Sequence, residues 1–147
     1  SVAFRTPVWP SLERLVRVMK KLHPTLDIQL ERQGTETVFA GESEDFEEIV
    51  GNLLENATKW AKSRILVSTR PSSHGGGMTI AIDDDGPGIA EAEAREAVRR
   101  GRRLDETKPG TGLGLSIVSD LVADYGGSLH LGRSELGGLR AEVVFDS

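Results

Sequence analysis

Apolar positions in this chain recur with two periods, and the period changes mark the elements. Leu12, Leu15, Val16, Met19 and Leu22 fall at helical spacing, which predicts an amphipathic helix over 11–22 stopped by Pro24. Ile28 to Glu31 and Thr37 to Ala40 read as short strands around a turn at Gly34. Ser43 then stands where a helix N-cap would, with Glu44, Asp45, Glu47 and Glu48 supplying acids to the first turns, where the helix dipole favours them. Phe46, Ile49, Val50, Leu53, Ala57 and Trp60 form the apolar side of that helix. Ile65 to Thr69 and Met78 to Asp83 alternate as strands across a glycine-rich connection. Residues 90–100 read as a charged helix. Leu113, Ile117, Val118, Leu121, Val122 and Tyr125 make a further helical stripe, closed by Gly126-Gly127. Ser128 to Leu131 and Leu139 to Phe145 supply the last strands around Gly137-Gly138. Helices and strands in this order predict a mixed sheet with helices on one face, a two-layer α/β sandwich.

Length sharpens this layout to one domain over 1–147, large enough to bury a core without disulfides or a structural metal. The chain has no cysteine, which excludes thiolate metal sites and a cysteine nucleophile. A net charge of -5 argues against nucleic acid as a partner. No apolar run is long enough to span a bilayer, and the abrupt opening suggests a piece of something longer.

Candidate chemistry concentrates in three places. Asn52 and Asn56, the only asparagines, lie four apart on one helix face with Lys59 beside them. Amide oxygens are hard ligands suited to Mg²⁺, and a neighbouring lysine suits phosphate. Next comes Asp84-Asp85-Gly86-Pro87-Gly88. Strand alternation sends Asp84 to the same face as Ile80 and Ile82, towards the helices. A buried carboxylate needs a partner, and an adenine amine would serve, with Gly86 and Gly88 letting a flat base approach the backbone. A turn rich in Asp and Gly is the plainer alternative; an EF-hand is excluded by spacing. Last, Gly110-Thr111-Gly112-Leu113-Gly114 stands at the start of a helix, where exposed amides attract phosphate; taken alone, the cluster reads equally well as a flexible hinge. Between the glycine clusters, Arg99, Arg100, Arg102, Arg103 and Lys108 form a basic island, read either as a solvated face or as a lid that clamps triphosphate. The stretch Gly127 to Ser134 approaches a P-loop but has Arg133 where Lys is required and alternates like a strand. His23, His74 and His130 have no matching ligand or acid and read as structural.

The three motifs in this order resemble the N, G1 and G2 boxes of the sensor histidine kinase ATP-binding domain, within the wider family shared with gyrase, Hsp90 and MutL. The resemblance runs from about residue 8 to 145. Arg100 to Asp105, Lys108-Pro109-Gly110 and Leu136 to Arg140 look like the PhoQ-type subgroup. It implies the Bergerat α/β sandwich, a mixed, mainly antiparallel sheet on three helices, with ATP and Mg²⁺ as cofactors. Asn56 would then be the main Mg²⁺ ligand, Asn52 its support and Lys59 a phosphate contact; on the lid reading of the basic island, Arg103 and Lys108, which flank it, are the candidate phosphate contacts, with the choice among the arginines open. Asn56, Lys59 and Arg103 would carry catalysis. Asp84 would read adenine, Trp60 would sit near base or ribose, Gly86 and Gly88 would shape the pocket, and Gly110, Thr111, Gly112, Leu113 and Gly114 would form hinge and cradle. Two features depart from the family: Ala97-Val98 replace the lid phenylalanines, and Trp60 replaces the commoner Tyr or Phe. Hydrolysing relatives carry a glutamate where Asn52 stands, so the resemblance implies transfer to a histidine on a separate helical dimerisation domain. It also implies a response regulator as partner, a cytoplasmic domain of a membrane-anchored homodimer, and a monomeric isolated domain. Alternatives are a serine kinase of the anti-sigma-factor type, a non-catalytic nucleotide-binding module, and a hydrolase.

Overall fold

The computed structural model describes residues 5–34, 38–72, 77–88 and 113–146. Its elements in chain order are β1 (Thr6–Pro7), α1 (Val8–Leu22), β2 (Asp27–Arg32), β3 (Val38–Phe39), α2 (Ser43–Trp60), β4 (Arg64–Pro71), β5 (Met78–Asp84), α3 (Leu113–Asp124), β6 (Ser128–Arg133) and β7 (Leu139–Phe145). Five strands form one sheet in the order β2-β4-β5-β7-β6. β2 runs parallel to β4 and the other pairs are antiparallel, so the expected mixed, mainly antiparallel sheet is present. The helices cover one face. The predicted helix over 90–100 lies outside the described residues.

Alternation along the strands decides which side chains enter the core. Ile28, Ile65, Val67, Ile80, Ile82, Ala141 and Val143 face the helices and are almost completely buried. They meet Val8, Leu12, Val16 and Met19 of α1, Phe46, Ile49, Val50, Leu53 and Leu54 of α2, and Leu115, Val118 and Val122 of α3. Burying one such side chain stabilises the fold by roughly 1.5–3 kcal/mol before the entropy of ordering it is subtracted.

Several expected boundaries and facings shift. α1 starts at Val8, because Pro10 lies in its first turn, where proline's missing N–H costs nothing. Leu22, expected in the core stripe, is 65% exposed at the last turn of α1, before Pro24. Ser43 is the first helical residue of α2, not its cap; Glu42 takes that position without a side-chain capping bond. Trp60 is 39% exposed while Leu54 is sealed, so the buried side of α2 is rotated from the expected one. In α3 the stripe runs through Leu115, Val118 and Val122, leaving Ile117 exposed. β2 and β3 do not pair around Gly34. β3 instead joins β1 in a separate two-stranded ribbon, which points Phe39 at Phe46, Tyr125 and Phe145, with ring centroids 4.8 to 5.4 Å apart.

The end of α3 follows the expectation. Gly126 takes φ 75°, its N–H bonds Ala123 O, and Gly127 N–H reaches back to Val122 O, both at 2.9 Å. This is a Schellman motif, which favours glycine at the left-handed position. The rejected P-loop stretch is indeed strand β6.

Candidate functional site

The site is built where the end of α2 meets the end of β5, the central strand of the sheet. All of β5 is buried, on both faces. On the inner face, one step beyond Ile80 and Ile82, stands Asp84, 2% exposed. Two backbone amides hold one of its oxygens: Gly86 N–H donates to Oδ1 at 2.9 Å and Leu139 N–H at 3.2 Å. Gly138 N–H donates to the Asp84 carbonyl at 3.0 Å. Among the described residues no donor reaches Oδ2 and no cation pairs with the carboxylate. Burial pushes the Asp84 carboxyl above the usual carboxylate range; the two amides pull it back only in part, and Asp85 and Asp83 add to the rise. An ionised Asp84 therefore carries an acceptor oxygen without a described protein donor, in surroundings where an unmade hydrogen bond is costly.

Backbone packs tightly around this acid. A Cβ on Gly138 would lie 2.2 Å from Asp84 Oδ1 and 2.6 Å from Gly86 N, and one on Gly86 would lie 2.2 Å from the Trp60 carbonyl. Both contacts demand glycine. The second brings the last residue of α2 directly against the β5 end.

α2, whose end lies against β5, carries the amide row. Asn56 is 8% exposed, and no hydrogen bond holds its side chain among the described residues. Asn52 is half-buried and donates from Nδ2 to the Glu48 carbonyl at 2.7 Å, which orients its amide; among the described residues nothing bonds its Oδ1. Lys59 and Trp60 stand exposed on the following turn. Asp85 ties this helix end to the strand. Its carboxylate accepts from Lys62 N–H at 2.8 Å, from Ser63 N–H at 3.0 Å and from the Ser63 hydroxyl at 2.7 Å. Desolvation opposes ionisation of Asp85, but the donors from Ser63, Arg64 and Lys62 outweigh it and hold the carboxyl far below its ordinary range.

Asn52, Asn56, Lys59 and Trp60 are thus carried by one helix, and its end abuts the turn bearing Asp84 and Gly86, with Gly88 beyond at φ 71°. Leu113 and Gly114 open α3, which packs along α2. Arg103, Lys108, Gly110, Thr111 and Gly112 lie outside the described residues. Sequence reasoning missed Gly138, Leu139, Asp85 and Ser63. Locally the Gly137-Gly138 doublet reads as a hairpin turn; its role against Asp84 depends on contacts far away in the chain, 55 positions for the neighbouring Leu139. His23 caps α1 and His130 contacts Ser128 Oγ at 3.0 Å on β6, so neither belongs to the site.

A family profile described as "Histidine kinase-, DNA gyrase B-, and HSP90-like ATPase" matches residues 41–147, which take in α2, β5 and the whole arrangement just described. The chain belongs to this family. Among proteins of known role, it is 34% identical over 140 residues to the Sensor protein PhoQ of Escherichia coli K12 and to the Virulence sensor histidine kinase PhoQ of Salmonella typhimurium LT2. These matches take in 95% of this chain but only 28% of either relative's length. Among solved structures, the mycobacterial sensor histidine kinase MprB superposes with a TM-score of 0.81 at 25% identity, covering 98% of this chain and 97% of that one. The ATP-binding domain of PrrB from Mycobacterium tuberculosis gives 0.78 at 26% identity, covering 97% and 95%. The two-layer sandwich is therefore the family's fold, and the region shared with PhoQ reaches beyond the profile match into α1 and β2.

Among the described residues no group of three or more His, Cys, Asp or Glu is arranged to hold a metal. A hard cation here would take carboxamide oxygens, with water and ligand phosphate completing its shell. The uncommitted Asn56 amide fits that arrangement. No described helix is long and apolar enough to cross a membrane.

Proposed function

We propose that this chain is the ATP-binding catalytic domain of a sensor histidine kinase. It binds Mg-ATP between α2 and the β5 end and passes the γ-phosphoryl group to a histidine on a separate helical domain. One observation carries the reading: two almost fully buried polar side chains, Asp84 and Asn56, each keep hydrogen-bonding capacity that no described protein group uses. Such groups are rare in folded proteins and call for a partner.

The roles follow from chemistry. Oδ2 of Asp84 accepts the exocyclic amine of adenine, while Oδ1 is kept in place by Gly86 and Leu139. The tight glycine packing at 86 and 138 keeps side chains away from the base edge. Trp60, exposed at the end of α2, lies along base or ribose. Asn56, supported by Asn52, holds Mg²⁺. When bound, Mg²⁺ supplies charge neutralisation to the triphosphate and orients it. Lys59 contacts phosphate from the next turn of α2. Arg103 and Lys108 clamp the γ-phosphate from the lid, and Gly110, Thr111, Gly112, Leu113 and Gly114 cradle phosphate oxygens at the N-terminus of α3.

Asn52 also bears on the reaction type. Its amide has no basic lone pair, and its nitrogen is already spent on Glu48 O, so nothing on α2 activates water at that position. Transfer to a protein nucleophile is favoured over hydrolysis, with catalysis resting on positioning and electrostatics. The parent protein would be a membrane-anchored homodimer whose phosphohistidine is read by a response regulator, with this domain in the cytoplasm and monomeric when isolated.

The test is a mixture of the chain, Mg-ATP labelled at the γ-phosphate, and the parent's histidine-bearing helical domain. Acid-labile, base-stable label on that domain is the expected result, and it disappears in Asn56→Ala. Tight ATP binding without transfer would favour a non-catalytic module. Transfer to serine on a soluble protein would favour the anti-sigma-type kinase. Rapid turnover with no acceptor present would favour a hydrolase.

A further inference from the structure

We infer that Asp85 is a positioning residue: by strapping the end of α2 to the end of β5, it sets the separation between the amide row and the base-reading Asp84, and so makes one nucleotide engage both at once. The inference rests on the nucleotide-binding reading above and assigns a task within that site to a residue that need not touch the ligand.

The geometry is a two-point clamp. α2 ends at Trp60, where Ala61 turns extended (φ -59°, ψ 141°) after its N–H bonds Ala57 O at 2.8 Å. The next two backbone N–H groups, of Lys62 and Ser63, both point to Asp85 Oδ1, and the Ser63 hydroxyl takes Oδ2. Asp85 returns its own N–H to Arg64 O at 3.3 Å. One carboxylate thereby gathers three donors from the two residues that follow the helix. Gly86 supplies the stop. Its α-carbon lies so close to the Trp60 carbonyl that a methyl group would sit 2.2 Å from that oxygen. Asp85 pulls the helix end in, and Gly86 fixes how far it comes.

The helix dipole does not explain this placement. The C-terminal end of a helix repels an anion, and Asp85 is an anion beside the C-terminal end of α2. The local hydrogen bonds therefore work against the dipole, and they work where misplacement matters. Asn56 and Lys59 lie within the last two turns of the same helix, and Asp84 is the preceding residue in the chain. A loose helix end would still leave Asp84 on its central strand, held by Leu139 and Gly86. It would blur the location of the amide row. Groups a fixed distance apart bind a two-ended ligand far better than the same groups held loosely.

This separates positioning from plain stability. Adenosine engages the Asp84 end alone, whereas Mg-ATP engages both ends. Affinities for the two ligands, followed by tryptophan fluorescence well below each variant's melting temperature, are compared in Asp85→Ala, Asp85→Asn and Ser63→Ala. Asp85→Ala is expected to weaken Mg-ATP by about tenfold or more while changing adenosine by less than about threefold. Asp85→Asn keeps an acceptor oxygen for the Lys62 and Ser63 amides and recovers most of the loss. Ser63→Ala, which removes one donor of three, falls between Asp85→Asn and wild type. Mg-ATP binding within about twofold of wild type in Asp85→Ala, or an equal loss of both ligands, would overturn the inference. Should Asp85→Ala fail to fold, the double variant Asp85→Asn with Ser63→Ala decides it, since it loses both the charge and the hydroxyl donor: a loss of Mg-ATP of about threefold or more with adenosine unchanged supports the clamp, and binding within about twofold of wild type or an equal loss of both ligands refutes it. A wild-type chain that bound neither ligand would sink the nucleotide reading itself, an outcome distinct from these.

Discussion

Asp83 and Asp84 are neighbours on β5, both almost completely buried, and the pleat sends them to opposite faces of the sheet. On the outer face Asp83 Oδ2 accepts from Arg140 Nη1 at 2.9 Å. Arg140 also reaches Glu142 at 3.2 Å, and Arg70 lies 3.6 Å from the same carboxylate. On the inner face, among the described residues, Asp84 has no cation, only two amides on one oxygen. The first acid has its charge balanced by Arg140 and ties β5 to β7, although its Oδ1 has no hydrogen-bond partner among the described residues. The second is held rigid yet left electrostatically incomplete, and burial raises its pKa for that reason. A paired buried acid is a strut; an oriented, unpaired one is a recognition group.

The comparison breaks if the two acids behave alike. The largest effect is expected from Asp84→Asn. The Gly86 and Leu139 amides will keep the amide oxygen at the Oδ1 position, so nitrogen replaces the free acceptor. ATP affinity should fall by roughly 1.5–3 kcal/mol in calorimetric titration, while the melting temperature of the nucleotide-free chain holds or rises because a buried charge is gone. Gly138→Ala comes next. Its methyl group would collide with Asp84 Oδ1 and with backbone that has no room to yield, costing about 1–3 kcal/mol of stability in denaturant melts and weakening ATP as well. Arg140→Ala should show the opposite signature. It leaves Asp83 buried without its guanidinium and lowers stability by about 1 kcal/mol, a modest figure because Arg140 is a third exposed, and ATP affinity stays at the wild-type value.

The smallest effect is in pH. The folded, nucleotide-free chain takes up a proton at Asp84 above the usual carboxylate range. It therefore binds more protons than the unfolded chain in that window, so Asp84 favours folding as pH falls towards its raised pKa and opposes it at neutral pH. Adenine needs the ionised acceptor. ATP affinity should decline over the same fall in pH, and the Asp84→Asn variant should lose that dependence. A titration series from neutral to mildly acid buffer checks both.

Much of this site was readable from sequence because it depends on short periods. The two-residue period of β5 placed Asp84 inward as soon as Ile80 and Ile82 were assigned to the core. The four-residue spacing of Asn52 and Asn56 put both amides on one side of α2. What failed to read depends on distant contacts. Leu139 and Gly138 reach Asp84 only because β7 pairs with β5, and no local pattern announces that. The exposure of Trp60 and Ile117 follows from how far each helix is rotated against the sheet, which packing settles and an apolar stripe several residues wide does not. β3 left β2 for β1 because pairing partners of two-residue strands carry almost no sequence signal.

The central claim is that Oδ2 of Asp84 waits for an amine. Adenine offers a donor at its exocyclic position, whereas guanine offers an acceptor there. The most direct measurement is the affinity of wild type and Asp84→Asn for ATP and GTP at neutral pH, each with Mg²⁺. The account predicts that wild type prefers ATP by about tenfold or more and that the preference collapses in Asp84→Asn. Equal affinity of wild type for the two nucleotides, or an unchanged preference in the variant, would contradict it.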